Sequence, residues 1–265
     1  MDPPAPASRV PAIEVARLST RFGSSRVHEE VNLTVYRGEI FALAGGNGCG
    51  KSTLLREIIM LHRPAAGTIR LFGQDTASLG DSAKDALLRR CGVMFQYGAL
   101  FSSLTVAENI SVPLREHTRL GKGLIREIAE IKIALVDLPA ESADKYPNEL
   151  SGGMRKRAAM ARAIALDPEI LFLDEPSAGL DPVSAEGIDD LILRLGKLLG
   201  LTVFMVTHDL DSLWRVTDRV AVLGNGRILG IGTMEELSCM EDPLIHPYFH
   251  GPRGRAAREQ TWKRK

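Results

Sequence analysis

The sequence predicts an α/β domain with a largely parallel central sheet, and three features carry that expectation. Short β-type runs alternate with stretches of helical periodicity along most of the chain. The runs Ile170-Leu171-Phe172-Leu173 and Val203-Phe204-Met205-Val206 show no polar alternation, so helices are expected on both faces of those strands. A glycine-rich segment follows a third apolar run and leads into a helix. In chain order, strands are expected over 13–18, 31–35, 40–44, 68–71, 93–96, 170–173, 202–207, 219–223 and 227–231. The stretch 105–146 reads as a helical insert, with Ile125, Ile128, Ala129, Ile131, Lys132 and Leu135 on one apolar face. A further helix is expected over 155–166. Prolines disfavour regular structure in 1–11, read as a flexible N-terminal segment, and in 243–265, read as a C-terminal extension. The folded domain is expected over 12–242.

The chain has 265 residues, enough to bury a core without disulfide or metal staples. Hydrophobic residues make up 45% and charged ones 25%, a balance that excludes disordered, collagen-like and disulfide-framework classes. Lys plus Arg equals Asp plus Glu at 33 each, so no global basic field draws the chain to nucleic acid, and no nucleic-acid partner is expected. Cys49, Cys91 and Cys239 fit neither a zinc spacing nor a disulfide set, which suits a reducing compartment. No apolar run approaches the roughly 20 residues that cross a bilayer, and Met1-Asp2-Pro3-Pro4 lacks a signal pattern. A cytoplasmic protein is expected, held at a membrane only by a partner.

The chemistry is carried first by Gly45-Gly46-Asn47-Gly48-Cys49-Gly50-Lys51-Ser52-Thr53, which matches G-x-x-x-x-G-K-[ST] between an apolar strand and a helix. Glycines let successive backbone N–H groups converge on phosphate, and the helix adds its positive N-terminal end. Lys51 is placed to reach the β- and γ-phosphates of a nucleoside triphosphate, and Ser52 to ligate Mg2+. Cys49 fills a variable position. Such a site needs an acidic element as well. The apolar strand ending in Asp174-Glu175 supplies it, Asp174 supporting Mg2+ through its water shell and Glu175 polarising the attacking water.

Leu150-Ser151-Gly152-Gly153-Met154 resembles the signature of ATP-binding cassette (ABC) proteins. Other motifs follow in that family's order: Gln96 where it has a Q-loop glutamine, Asp174-Glu175 where it has Walker B, Ser177-Ala178-Gly179-Leu180-Asp181 where it has the D-loop, and His208 where it has the switch histidine. The likeness runs over 13–232 and implies a P-loop nucleoside triphosphatase fold of the ABC type. That fold is a RecA-like core of mixed and parallel sheet, with a helical subdomain at about 97–165 between Q-loop and signature. The resemblance also implies ATP and Mg2+ as ligands, with Glu175, His208 and Lys51 in catalysis. It places Phe22, Gly45, Asn47, Gly48, Cys49, Gly50, Lys51, Ser52, Thr53, Gln96, Ser151, Gly152, Gly153 and Asp181 around the nucleotide, and Ser52, Gln96 and Asp174 at the metal. Phe22 would stack on adenine, with a buried core phenylalanine as the rival reading. Ser151 and its two glycines precede a helix and form a second anion cradle, which in this family closes on the γ-phosphate held by another copy. Met154 and Asn47 depart from the family's usual glutamine and serine, and neither change removes a phosphate-contacting backbone group.

The layout favours a transporter motor. The gap between Lys51 and Leu150 lacks the heptads of chromosome-maintenance cassettes, and one cassette is present where translation-factor cassettes carry two. Phe95-Gln96-Tyr97-Gly98-Ala99-Leu100-Phe101, Val112-Pro113-Leu114-Arg115-Glu116-His117-Thr118 and Met154 resemble the ATPases of Mla-type phospholipid transport systems, which maintain outer-membrane lipid asymmetry in Gram-negative bacteria. That resemblance implies two copies beneath an integral permease on the cytoplasmic face of the inner membrane. It also implies an MCE-type periplasmic lipid-binding protein and a small STAS-type regulator, with phospholipid handled only by the complex. The alternatives are a transporter for another substrate and a soluble non-transport cassette ATPase. In the tail, Tyr248 and Phe249 are expected to anchor on the neighbouring ATPase; the competing readings are a basic end on anionic lipid and a passive end.

Overall fold

The computed structural model describes residues 10–246; the expectations for 1–9 and 247–265, including the Tyr248-Phe249 anchor and the basic end, lie outside the described residues. Strands β1 (Pro11–Phe22) and β2 (Ser25–Tyr36) form a long antiparallel pair whose turn sets Phe22 opposite Ser25. The chain then runs through β3 (Ile40–Ala44) and α1 (Lys51–Ile58) to β4 (Ala66–Leu71) and the short β5 (Gln74–Asp75). Next come α2 (Asp81–Leu88), β6 (Cys91–Met94), α3 (Val106–His117), α4 (Lys122–Leu135) and α5 (Gly152–Ala163). The rest is β7 (Ile170–Asp174), α6 (Pro182–Leu199), β8 (Thr202–Val206), α7 (Leu210–Val216), β9 (Arg219–Gly224), β10 (Arg227–Gly232) and α8 (Met234–Ser238).

Two sheets result: an antiparallel sheet ordered β2-β1-β4-β5, and a six-stranded sheet ordered β10-β9-β3-β8-β7-β6. In the second, β6, β7, β8, β3 and β9 run parallel, and β10 pairs antiparallel with β9. Alternation along β3 sends Phe41 and Leu43 into one apolar cluster and Ala42 and Ala44 into the other, so both faces of the sheet are covered. The first cluster lies between the sheets and takes in α1; the second lies under α3, α4, α5 and α6. Phe172, Phe204 and Phe41 pack side by side across three strands, with Phe204 tilted against Phe172 and stacked on Phe41 at ring centroids 5.9 and 6.0 Å apart.

The structure shifts several expected elements. The strand expected over 93–96 is Cys91–Met94, in register from Cys91 opposite Ile170 to Met94 opposite Leu173, so Gln96 lies beyond it in a turn. The helix expected over 155–166 begins at Gly152, and the two glycines form its first turn instead of preceding it. On α4, Ile131 is 57% exposed and Ile133 takes its place in the core beside Ile125 and Ala129. Lys132 sits on the same buried stripe by laying its stem along apolar surface and pairing its ammonium with Asp167. Pro11, read as part of a flexible segment, is the first residue of β1, a position where its missing N–H is tolerated.

Candidate active site

Because β3, β8 and β7 are neighbours in the parallel sheet, their carboxyl ends deliver three segments side by side: the loop 45–50, Thr207-His208 and Asp174-Glu175. The loop needs glycine where the backbone is crowded. A Cβ on Gly45, at φ 149, would lie 2.3 Å from the Leu223 carbonyl oxygen, and one on Gly50, at φ 103, would lie 2.5 Å from His28 Nε2. No side chain caps α1, so its first N–H groups face the concavity of the loop. Lys51 is buried, and its Nζ donates to the carbonyls of Gly45 (2.9 Å) and Gly46 (3.0 Å), which holds the ammonium over the loop. Asn47 and Gly48 are exposed at the tip, Thr53 is half-buried on the helix, and Cys49 packs on the inter-sheet cluster.

Ser52 Oγ donates to Asp174 Oδ1 at 3.0 Å, joining the loop to the end of β7. Asp174 is buried, and burial pushes its carboxyl above the usual range, with the Ser52 hydrogen bond opposing. A hydroxyl and a carboxylate side by side are hard oxygen donors that suit Mg2+, whose remaining ligands are then phosphate and water. Glu175 follows with φ 49, a left-handed conformation fixed at both ends of the residue. Its N–H donates to Val206 O at 2.8 Å, and its carbonyl accepts from Lys156 Nζ at 3.0 Å. Its carboxylate meets His208 Nδ1 at 2.8 Å and accepts a longer bond from Thr207 Oγ1 at 3.4 Å. A carboxylate oriented by a histidine is the arrangement of a general base, and it opens on a cleft of about 760 Å³ bordered by Ser177, Gly179 and Pro182.

Lys156 escaped the sequence reading. From one turn inside α5, its buried ammonium donates to the carbonyls of both Gln96 and Glu175. Burial lowers its pKa, and the charges of Glu175 and Asp174 oppose that. The available signal was a lysine on the helical face that also carries Ala159 and Met160.

The remaining candidates divide. Phe22 is 49% exposed, its ring 4.8 Å from that of His62, so it forms a surface platform and the core reading fails. Ser151 caps α5 by accepting from Met154 N–H at 3.3 Å, and Asp181 caps α6 by accepting from Ser184 N–H at 3.0 Å. Gly152 and Gly153 lie against Leu180 and Ser184. Among the described residues no hydrogen bond joins Ser151 to the loop 45–53, so the structure brings Lys51, Ser52, Asp174, Glu175 and His208 together and leaves the signature apart.

The family model for ABC transporters matches residues 28–178, more than half of the chain. The chain belongs to the ABC transporter family. It is the ATPase subunit of such a transporter, an enzyme that couples ATP hydrolysis to transport. This cassette is 38% identical over 239 residues to the intermembrane phospholipid transport system ATP-binding protein MlaF of Haemophilus influenzae, covering 90% of each chain. It is 39% identical over 242 residues to the probable ribonucleotide transport ATP-binding protein mkl of Mycobacterium bovis, covering 91% of this chain and 67% of that one. The methionine import ATP-binding protein MetN of Caulobacter vibrioides shares 44% over 217 residues, which are 82% of this chain and 63% of its own. Among solved structures, the dimeric post-hydrolysis state of the ATP-binding cassette MJ0796 bound to ADP and Pi superposes with a TM-score of 0.77 at 30% identity, over 83% of this chain and 98% of that one.

Proposed function

We propose that this cassette drives a phospholipid transporter working between the inner and outer membranes of a bacterium. The observation that carries the reading is the end-to-end match to MlaF, which accounts for 90% of both chains. In this reading two copies sandwich two ATP molecules, the Ser151-Gly152-Gly153 cradle of each facing the phosphate loop of the other, and Phe22 carries the adenine. Lys51 and the loop N–H groups bind phosphate, while Ser52, Gln96 and Asp174 surround Mg2+, which neutralises charge on the β- and γ-phosphates when bound. Glu175 takes a proton from the attacking water, and His208 orients Glu175 toward it. Asp181 supports the D-loop at the edge of the cleft.

The chain acts through partners. No helix among the described residues is long and apolar enough to cross a membrane. A groove of about 430 Å³, lined by Leu88, Val93, Phe101, Val112, Pro113 and Arg162, has the apolar floor that a permease's cytoplasmic helix needs. The assembly is completed by an MCE-type periplasmic protein and a STAS-type regulator on the cytoplasmic face of the inner membrane, and lipid contacts the complex and not this chain. Import of a small solute is the second reading, favoured by the 44% identity to MetN over a smaller share of that protein.

Affinity capture of the tagged full chain from detergent-solubilised membranes tests the proposal. The expected result is an integral membrane protein and bound phospholipid, recovered in a complex whose ATPase activity responds to phospholipid. A membrane complex that carries no phospholipid and responds only to methionine or another solute overturns the lipid assignment; recovery with ribosomes or DNA alone overturns transport.

A further inference from the structure

Phe22 ends β1 on a stretch that cannot hold its ring by itself. Residues 21–26 are all exposed, and a Cβ on Gly23, in the β1–β2 turn, would meet nothing within 4 Å. This open tip nonetheless lies close to the phosphate loop. Phe22 sits opposite Ser25, and Val27, two residues further along β2, crowds the loop: a Cβ on Gly50 would lie 2.8 Å from Val27 Cγ1. A large ring at an open tip has several rotamers available, and a ligand that stacks on it must first immobilise it.

His62, in the turn after α1, meets that ring from a different element. The two ring centroids are 4.8 Å apart with the planes inclined by 48°, within the range of a favourable aromatic pair. His62 is itself fixed twice. Its backbone belongs to a closed turn, in which Met60 N–H donates to the Glu57 carbonyl at 3.1 Å and the N–H groups of Leu61 and His62 donate to the Arg56 carbonyl at 2.8 and 3.2 Å. Its side chain places Nδ1 3.3 Å from Oε1 of Glu57, a buried residue in the last turn of α1. Glu57 also accepts the Thr20 hydroxyl, which lies 2.9 and 2.8 Å from its two carboxyl oxygens. Thr20 is buried on β1 two residues before Phe22. One buried carboxyl group therefore ties down both the strand that carries Phe22 and the ring that backs it.

We propose that His62 is a positioning residue for the nucleobase: anchored on Glu57, it holds the Phe22 ring ready as a platform, and it governs affinity for the base without governing affinity for the phosphates. The inference deepens the reading of Phe22 as the adenine platform and rests on it. The half-buried His62 ring covers part of Phe22 and leaves the rest of that ring open to a planar ligand. The phosphate-binding groups are held independently. Lys51 stands at the other end of α1, and its ammonium is fixed by the carbonyls of Gly45 and Gly46. Removing the His62 ring therefore frees Phe22 to rotate, and the cost of ordering it falls on base binding alone.

The test measures binding of MgATP and of magnesium tripolyphosphate, which has the phosphates and no base, by calorimetry on the full chain. The variants are Phe22→Ala, His62→Ala, His62→Phe and the double alanine variant, each checked for folding by thermal melting. His62→Ala is expected to weaken MgATP about three- to tenfold, the scale of one aromatic contact, and to leave tripolyphosphate at its wild-type affinity. In the Phe22→Ala background the same substitution should have no further effect, because no ring is left to position. His62→Phe restores a ring without the Glu57 contact and should recover part of the loss. His62→Gln keeps the Glu57 contact without the ring, should lose as much as His62→Ala, and serves if that variant does not fold. Wild-type MgATP affinity in His62→Ala, an equal loss for both ligands, or losses that simply add in the double variant overturns the positioning role; in each case a weakened Phe22→Ala leaves the adenine platform standing. Wild-type MgATP affinity in Phe22→Ala overturns the platform reading, and the positioning role with it.

Discussion

Lys156 places a full positive charge where there is little water, and the carbonyls of Gln96 and Glu175 are what it bonds to instead. Lys156→Met keeps the stem and removes both bonds, freeing a Glu175 backbone that sits in a left-handed conformation. The expected outcome is a fall of about tenfold or more in kcat for the assembled transporter, little change in ATP affinity, and partial recovery in Lys156→Arg, read by phosphate release. Asp189 gives a prediction in the other direction. It is buried on α6, accepts from Ser212 Oγ at 2.9 Å through Oδ2, and has no partner at Oδ1. Burial raises its pKa from 3.8 to about 7. The folded chain therefore holds this proton to higher pH than the unfolded one, and stability present below pH 3.8 is lost as pH rises through about 7. The loss is on the order of 2–4 kcal/mol. Asp189→Asn should remove that contribution, so that the fall in urea midpoint between about pH 5 and pH 8 is smaller in the variant than in wild type.

At the scale of elements, α3 shows how a helix and the loop before it are held as one unit. Its N-terminus carries a capping box between Thr105 and Glu108. One turn in, the buried Asn109 Nδ2 shares its two hydrogens among the carbonyls of Phe101, Leu104 and Thr105, and Oδ1 accepts from Phe101 N–H. Pro113 stands four residues on, where its missing N–H leaves the Asn109 carbonyl without its helical partner. Asn109→Leu keeps the branched side-chain skeleton and strands several backbone groups, so it should cost roughly 2–4 kcal/mol in denaturant unfolding. It should also loosen the 101–105 loop, read as faster amide exchange there. These contacts mark the limit of what the sequence reveals. The central strands β7 and β8 and the loop-to-acid pairing were legible because motif spacing is local and apolar runs without alternation identify central strands. Ser52 accordingly meets Asp174, and His208 meets Glu175, at the carboxyl ends of β3, β8 and β7, which are consecutive in the sheet. Lys156 meets Gln96 across 60 residues of chain, and Thr20 meets Glu57 across 37, so no window of sequence holds both partners. The separate antiparallel sheet was hidden for a related reason: β1 pairs with both β2 and β4, on either side of the phosphate-loop unit.

For the whole molecule, the proposed sandwich makes this site one half of a shared one. Ser151, Gly152 and Gly153 form a capped helix start that, among the described residues, makes no hydrogen bond to the phosphate loop, and Glu175 is held by His208 on the other side of the site. Glu175→Gln should therefore separate assembly from turnover. ATP should drive the variant into a lasting dimer, seen by light scattering, while phosphate release drops at least about 100-fold. A variant that turns over ATP at the wild-type rate removes Glu175 from its role, and one that stays monomeric with bound ATP removes the sandwich. The Q-loop adds a mechanical consequence. Arg162 donates to the carbonyls of Gly98 (2.9 Å) and Ala99 (2.8 Å), while Lys156 on the same helix holds that of Gln96. The segment 96–99 is therefore bonded down along α5. One helix thus grips both the segment 96–99, through Lys156 and Arg162, and the Glu175 carbonyl, through Lys156, so that in the proposed transporter a partner pushing on that segment pushes on the backbone of Glu175 as well.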